Sequence, residues 1–242
     1  MEPFSIIIPV FNEEEIIIQN TKKLVDYLNQ LDTPYEIIIG SNGSTDKTVS
    51  LGKMMEEEFK QITFFHLFQR GVGKAFKKGI LLARFERIIS LDMDLSTELS
   101  FIKDSLRLLY EYDIIIGSKK MGTQKRKLIR KLGSDGFILC SKVLLGLNYK
   151  DYSIGAKAYK KSVILEYLNR VNSGTSYVIE IVYYAKRDGF KIIESPVLCV
   201  DFRKSKFNLI HEGYYRFSHL FKLYIRGHLF RSLEQPLIKE QW

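Results

Sequence analysis

The sequence FSIIIPVFNE, residues 4–13, is the clearest structural signal in the chain. It begins with an almost continuously apolar run rich in isoleucine, and the polar residues Asn12 and Glu13 follow closely. Runs of this kind are typical of strands in a parallel sheet, because helices cover both faces of such a sheet. The stretch therefore predicts a buried central strand that ends in a polar loop.

Short β-branched runs and helical patterns alternate through the rest of the first half. Further strands are predicted at residues 36–40, 62–67, 87–91 and 113–117. Asn12 is predicted to cap a first helix, and Ser44, Thr45 and Asp46 to open a second. These first-half helices are predicted at residues 12–30, 44–59, 73–85 and 99–110. The second half is less regular, with helices predicted at 137–147, 162–169 and 177–187, a strand at 191–200 and helical structure from 207 onward.

Strands that alternate with helices predict a doubly wound α/β domain with a mainly parallel sheet. Ligands of such domains bind beyond the carboxyl ends of the strands. The segments expected to carry the function therefore follow the strands directly. They are residues 9–13, 41–46, 69–74 and 92–96, all polar or containing glycine.

The chain has 242 residues and a net charge of +9. That length fits one large domain, or one domain with a short appendage. A basic excess suits nucleic acid, an anionic membrane or a phosphate-bearing substrate. No helix-turn-helix, zinc-finger or RNP signature favours nucleic acid as a partner. Residues 119–131 contain seven basic residues and no acid, either as a solvated loop or as a site for an anionic partner.

The two cysteines, Cys140 and Cys199, lie in apolar surroundings and are interpreted as small core residues in a reducing compartment. No signal-peptide pattern and no run of 18 apolar residues occurs in the sequence. A cytoplasmic protein, or one peripheral on the cytosolic face of a membrane, is therefore expected.

Asp92 and Asp94 follow the predicted strand at 87–91. Two carboxylates at this spacing can turn toward one hard cation, Mg²⁺ or Mn²⁺, shared with substrate phosphates. A pair of acids in a loop is often only solvated, and it is the position at a strand end that favours a metal site.

A glycine-rich segment, Gly71 to Gly79, places Lys74 at the start of a predicted helix, where an anion is favoured. It lacks the spacing of a P-loop. The segment 42–48, NGSTDKT, predicts a tight turn and a capped helix.

In this order and spacing, these segments resemble family 2 glycosyltransferases with the GT-A fold, over residues 4–206. The second half is most similar to the dolichyl-phosphate mannosyltransferase, or polyprenyl-phosphate glycosyltransferase, branch. The motifs that carry the resemblance are residues 8–13 (IPVFNE), 41–46 (SNGSTD), 71–79 (GVGKAFKKG), 92–94 (DMD), 151–159 (DYSIGAKAY), 179–180 (IE), Gly189, 194–197 (ESPV) and 203–206 (RKSK).

The resemblance implies a role for each of these segments. Nucleotide-sugar binding is expected of Pro9, Asn12, Glu13, Ser41, Asn42, Lys74, Asp92, Met93 and Asp94. Metal binding is expected of Asp92 and Asp94, and catalytic roles of Asp92, Asp94, Glu180 and Arg203. Acceptor or phosphate contacts are expected of Lys119, Asp151, Lys157, Arg203 and Lys206.

The implied activity is inverting transfer of a sugar from GDP-mannose or a UDP-hexose to a polyprenyl or dolichyl phosphate. The alternatives are a saccharide hydroxyl acceptor, with Glu180 or Asp151 as the base, and a degenerate nucleotide-binding member. Ser41 replaces the family's usual aspartate, Lys119 and Lys157 replace arginines, and segment 203–206 is shorter than in the branch.

Two regions are expected. Residues 1–206 form the catalytic domain, and residues 207–242 form a basic, aromatic helical tail. The tail is interpreted either as an interfacial helix on an anionic membrane or as a helix packed on the domain.

Overall fold

The computed structural model describes residues 2–119, 128–199 and 209–229, with backbone alone at 128–132, 209–212 and 228–229. It contains seven strands and eight helices in these ranges. The strands are β1 (Phe4–Val10), β2 (Tyr35–Asn42), β3 (Ile62–Leu67), β4 (Arg87–Ser90), β5 (Ile114–Ser118), β6 (Lys157–Lys160) and β7 (Ile192–Pro196). The helices are α1 (Ile17–Asn29), α2 (Thr48–Glu58), α3 (Val72–Leu82), α4 (Ser100–Leu108), α5 (Leu128–Leu145), α6 (Lys161–Leu165), α7 (Tyr177–Arg187) and α8 (Leu209–Leu229).

The strands form one sheet in the order β3-β2-β1-β4-β6-β5-β7. The pairs β1–β2, β1–β4, β2–β3 and β5–β7 are parallel. The isoleucines of β1 are at most 1% exposed, which explains why that strand lacks a polar face. The predicted doubly wound, mainly parallel sheet is confirmed.

Strand β6 is the one strand of the described residues that the sequence did not predict. It pairs antiparallel with both β4 and β5, and Lys157 is the register partner of Ser90. Only four residues long, with lysine at both ends, it carries too short a pattern to be recognised alone. Its place between β4 and β5 brings the segment after residue 150 to the carboxyl end of β4.

The first helix begins later than predicted. Asn12 has a positive φ of 52°. Helix α1 starts at Ile17, whose N–H donates to the Glu13 carbonyl. Asn12 is therefore a loop residue and not a helix cap. The prediction for helix 177–187 is confirmed at both ends.

Two compact units emerge from the contacts within the chain. In the described residues, the first contains 2–119 and 149–199, and the second contains 128–148 and 209–229. In the second unit, the rings of Phe137 on α5 and Phe217 on α8 meet edge to face, with their centroids 5.5 Å apart. The predicted boundary between residues 206 and 207 lies outside the described residues. Across the described ranges, no helix is both long and apolar enough to cross a membrane.

Candidate functional site

The carboxyl ends of β3, β2, β1 and β4 lie side by side at one edge of the sheet, because these strands are parallel neighbours. The predicted functional segments therefore meet at this edge. Pro9 pairs in register with Gly40 near the end of β1, and the chain then turns into the loop that contains Asn12 and Glu13. The strand order thus brings together the segments that the sequence singled out, and their function stays a prediction.

Side chains hold the loop after β1 to the loop after β2. The Asn12 side-chain oxygen accepts the Thr45 N–H at 2.8 Å, and the Asn12 N–H donates to Ser44 Oγ at 3.1 Å. The Glu13 N–H donates to Thr48 Oγ1 at 2.7 Å. These three hydrogen bonds therefore join the loop after β1 to the loop after β2. The Glu13 carboxylate takes no part in them.

Asn42 joins three loops at once. Its Nδ2 donates to the Val10 carbonyl at 2.8 Å, and its Oδ1 accepts the Gly71 N–H at 3.1 Å. The side chain is 4% exposed, so these backbone groups depend on it for their bonds. The sequence predicted a nucleotide contact at Asn42, while its role in joining the loops follows only from the fold.

Replacing Asn42 with alanine should lower the free energy of unfolding by about 1–3 kcal/mol, because the partly buried Gly71 N–H and the buried Val10 carbonyl lose their partner. Urea unfolding of the purified chain measures this loss. Asn169→Ala is the matched control, since Asn169 is exposed and its loss should change the free energy by less than about 0.5 kcal/mol. Equal stability of the two variants would show that Asn42 does not hold the loops together.

Ser41 is fully buried, and its hydroxyl lies 2.9 Å from Ser44 Oγ and 3.0 Å from His66 Nδ1. His66 is its register partner on β3, so the two side chains share one face of the sheet. His66 was not singled out from the sequence. Its only signal was its position at the end of a predicted strand.

The glycines at the start of α3 leave room for the backbone of residues 172–174 to pack closely against them. A Cβ on Gly73 would lie 2.5 Å from the carbonyl oxygen of Asn172, and the Lys74 N–H donates to the Ser173 carbonyl at 3.2 Å. The Lys74 side chain reaches Gln69 Oε1 at 2.5 Å. The glycine-rich segment thus packs against residues 172–174, a contact that the sequence did not predict.

Asp92 lies directly after β4, and its Oδ2 accepts the Gly155 N–H at 2.9 Å. Loss of hydration raises the pKa of the Asp92 carboxyl to about 6, and Asp94 and Glu13 add to the rise while Lys157 and the Gly155 N–H oppose it. The side chain is still open to solvent. Protein atoms therefore surround the Asp92 carboxylate on most sides, and water reaches it from the side that remains open.

The Asp92–Asp94 pair fits a hard divalent cation such as Mg²⁺ or Mn²⁺. The charge of Asp94 opposes ionisation of Asp92, and a cation between them would relieve that repulsion. Within the described parts of the chain, no three acids, histidines or cysteines gather at one metal position. A cation held here would therefore take its remaining ligands from substrate phosphates and water, as Mg²⁺ commonly does.

The other residue of the predicted metal loop, Met93, is 3% exposed, and its carbonyl accepts a bond from Asn20 Nδ2 at 2.9 Å. Leu95 follows with a positive φ of 47°. The Asp94 side chain accepts the Ser96 N–H at 3.0 Å. The buried Met93 side chain therefore holds the loop against the core. The flanking carboxylates of Asp92 and Asp94 are the charged groups of the loop.

Tyr177 and Lys157 both lie near the Asp92 carboxylate. Burial raises the pKa of the Tyr177 phenol, the charge of Asp92 adds to the rise, and a hydrogen bond with Ser90 opposes it. Lys157 is 1% exposed, and its Nζ donates to the Ile154 carbonyl. A neutral phenol and a buried ammonium thus border the carboxylate. Sequence reasoning missed Tyr177, which has no distinguishing pattern beyond its place at the start of a helix.

Lys119 and Asp151, two predicted acceptor contacts, lie together. Lys119 Nζ is 3.9 Å from Asp151 Oδ2, and both side chains are at least 90% buried. The other oxygen, Asp151 Oδ1, accepts bonds from Ser153 and Ile154. Among described residues, Oδ2 and the neighbouring Ser118 Oγ have no hydrogen-bond partner.

Glu180 is 6% exposed, and its Oε2 accepts the Asn172 N–H. Burial lowers the pKa of Lys77, and the nearby Glu180 carboxylate opposes that shift. The carboxylate is thus engaged with the backbone next to the glycine-rich segment, and its catalytic role stays a prediction. Arg203 and Lys206, two further predicted contacts, lie outside the described residues.

Known proteins are similar to this chain over most of its length. A sequence model of the family described as Glycosyl transferase family 2 matches residues 5–168. The chain is 24% identical over 201 residues to glycosyltransferase AglD of Haloferax volcanii, covering 80% of this chain and 32% of that one. It is 28% identical over 208 residues to dolichyl-phosphate beta-glucosyltransferase ALG5A of Trichomonas vaginalis, covering 80% of this chain and 64% of that one. The chain thus spans less than two thirds of the length of either relative.

Solved structures share the fold at low sequence identity. Mannosyl-3-phosphoglycerate synthase from Rubrobacter xylanophilus superposes with a TM-score of 0.69 at 11% identity, covering 99% of this chain and 78% of that one. Glucosyl-3-phosphoglycerate synthase from Mycobacterium tuberculosis, in complex with Mn²⁺ and UDP-glucose, gives 0.65 at 13% identity, covering 91% and 78%. The predicted fold class is confirmed by these matches.

Proposed function

This chain belongs to glycosyltransferase family 2, and from that membership we propose that it transfers a hexose from a nucleotide diphosphate sugar to a dolichyl-type polyprenyl phosphate. The favoured donor is UDP-glucose, because the relative from Trichomonas vaginalis is named a dolichyl-phosphate beta-glucosyltransferase and a solved structure with this fold contains UDP-glucose. The observation that carries the proposal is the Asp92–Asp94 pair beyond β4, with Lys157 and Gly155 arranged around it.

The donor diphosphate is proposed to lie against Asp92 and Asp94. A bound Mg²⁺ or Mn²⁺ would neutralise the charge that develops on the departing nucleoside diphosphate. The Gly155 N–H fixes one oxygen of Asp92, so the other stays available toward the donor. Buried Lys157 favours the ionised form of Asp92, the form that a cation requires.

The acceptor is proposed to approach Lys119. A phosphate monoester is anionic at neutral pH, so one of its oxygens can attack the anomeric carbon without a strong base. The new carbon–oxygen bond forms as the bond to the diphosphate breaks, and the nucleoside diphosphate leaves with the electron pair. Direct displacement of this kind inverts the anomeric centre.

A lipid phosphate suits this site better than a saccharide hydroxyl. A hydroxyl acceptor needs a carboxylate base within hydrogen-bond reach. Both candidates are buried, Glu180 at 6% and Asp151 at 3% exposed, and each carboxylate already has a polar partner: the Asn172 N–H for Glu180, and Lys119 for Asp151. This arrangement supports an acceptor that brings its own negative charge.

We further propose that the second unit rests on the cytosolic face of an anionic membrane, which would present the lipid acceptor. Tyr214, Phe217 and Phe221 on α8 are 78%, 39% and 55% exposed. Lys222 and Arg226 are exposed on the same helix. Aromatic residues beside cations are typical of interfacial helices.

Transfer of labelled sugar tests the proposal directly. The full chain should move label from UDP-[¹⁴C]glucose into the organic phase with dolichyl phosphate and Mn²⁺ or Mg²⁺, and less from GDP-[¹⁴C]mannose. Chelation with EDTA should abolish the transfer. Consumption of UDP-glucose with label only in the aqueous phase would indicate a saccharide or water acceptor. Absence of binding to any nucleotide would indicate a degenerate member of the family.

A further inference from the structure

We propose that His66, oriented by Ser41, selects the nucleobase of the donor by accepting a hydrogen bond from a ring N–H such as that of uracil. The inference rests on the proposed function, since it concerns the base of the nucleotide sugar.

The strand order separates His66 from the Asp92–Asp94 pair by a distance that a bound nucleotide would have to span. Asp92 follows β4, and His66 lies near the end of β3, three strands away across the edge of the sheet. Neighbouring strands lie about 4.8 Å apart, so the separation along the edge is roughly 14 Å. A donor whose diphosphate lies at Asp92 therefore extends its nucleoside toward β2 and β3.

The surface on this side carries aromatic and cationic groups suited to a heterocycle. The guanidinium of Arg70 lies 4.1 Å from the ring centroid of Phe11. Phe68 is 93% exposed, and its ring meets His66 edge to face at 5.2 Å. Exposed aromatic rings of this kind provide faces on which a base can stack.

Ser41 cannot serve as the reader itself. Its side chain is 0% exposed, and its hydroxyl is already bonded to Ser44 and His66. The His66 ring is partly exposed. The polar group that a base can reach at this place is therefore the imidazole, with Ser41 behind it.

The proposal requires the tautomer of His66 that carries its proton on Nδ1, and the hydrogen-bond network accommodates it. Ser44 Oγ accepts the Asn12 N–H and has a second lone pair for the Ser41 hydroxyl proton, 2.9 Å away. A serine hydroxyl has one proton, so when Ser41 donates to Ser44, Ser41 Oγ accepts from His66 Nδ1. In the neutral imidazole this places the proton on Nδ1 and leaves Nε2 as an acceptor. Within the described residues, Nε2 has no hydrogen-bond partner of its own.

An acceptor at Nε2 distinguishes bases by the proton on one ring nitrogen. Uracil carries a proton on N3 and guanine carries one on N1, whereas the corresponding nitrogens of cytosine and adenine have lone pairs. A lone pair facing Nε2 loses the bond and leaves two acceptors opposed, which a site built around a hydrogen bond rejects.

Nucleotide titrations test the proposal on wild type and His66→Ala. Calorimetry with Mn²⁺ present would compare UDP with CDP, and GDP with ADP, since the members of each pair differ in that ring proton. Wild type should bind UDP about tenfold or more tightly than CDP. His66→Ala should bring this ratio close to one, and His66→Gln, which retains an acceptor, should keep part of the preference.

Asp94→Asn is the matched control, because it should weaken UDP and CDP equally and leave their ratio unchanged. An unchanged preference for UDP in a folded His66→Ala variant would overturn the role of His66 alone. Preference of the wild type for CDP or ADP would overturn it as well. Absence of binding of all four nucleotides to wild type would overturn the proposed function together with it. Thermal unfolding of each variant verifies that the chain is folded.

Discussion

Replacing Asp94 with asparagine should lower the rate of sugar transfer by about two to three orders of magnitude, the usual cost of losing one group that stabilises developing charge. The asparagine side chain keeps an oxygen that can still accept the Ser96 N–H, now at 3.0 Å from Asp94 Oδ1. The loop geometry should therefore survive while one negative charge on the cation is lost. Radiolabel transfer from UDP-glucose at saturating Mn²⁺ measures the change.

A matched control for Asp94→Asn is Asp104→Asn, since Asp104 is exposed on α4 and lies outside the proposed donor site. Its transfer rate should equal that of the wild type. Should Asp94→Asn transfer sugar at the wild-type rate with an unchanged requirement for Mn²⁺, the carboxylate pair would not be the metal site.

Replacing Gly155 with alanine should reduce transfer by a comparable factor, about a hundredfold or more, although Gly155 carries no functional group. A Cβ at this position would lie 2.3 Å from Asp92 Cγ, too close for any real contact. Because Gly155 has no positive φ, alanine meets no backbone strain there, and relief requires the carboxylate to move. The loss should appear in kcat of the folded enzyme.

Gly133→Ala provides the comparison for Gly155→Ala, because a Cβ on Gly133 in α5 would meet nothing within 4 Å. A double variant shows whether the effect passes through Asp92. In an Asp92→Asn background, Gly155→Ala should cost little further activity, since contacting residues that act together are not additive. Fully additive losses would mean that Gly155 acts by another route.

The sequence predicted the features of the fold that depend on local patterns of residues. The apolar run of β1 indicated a buried parallel strand, and Asp92 could be placed at a strand end from the residues before it. The fold class followed from these patterns, and so did the edge of the sheet at which the predicted functional segments meet.

What could not be predicted depends on residues that are distant in sequence. Strand β6 is recognisable only from its partners β4 and β5. Gly155 matters because it lies against Asp92, and His66 because it lies against Ser41. No periodicity in the sequence encodes such contacts.

The antiparallel insertion of β6 also determines the order in which the sheet can be completed on the ribosome. Strands β1 to β4 can pair as soon as they emerge, but one side of β4 stays an open edge until residues 157–160 follow. At about 5–20 residues per second, that delay lasts from a few to roughly fifteen seconds. During this time β5 is already synthesised and must not take the place of β6 beside β4. The nascent chain therefore carries an exposed, isoleucine-bearing edge, which is the kind of surface that chaperones protect from aggregation.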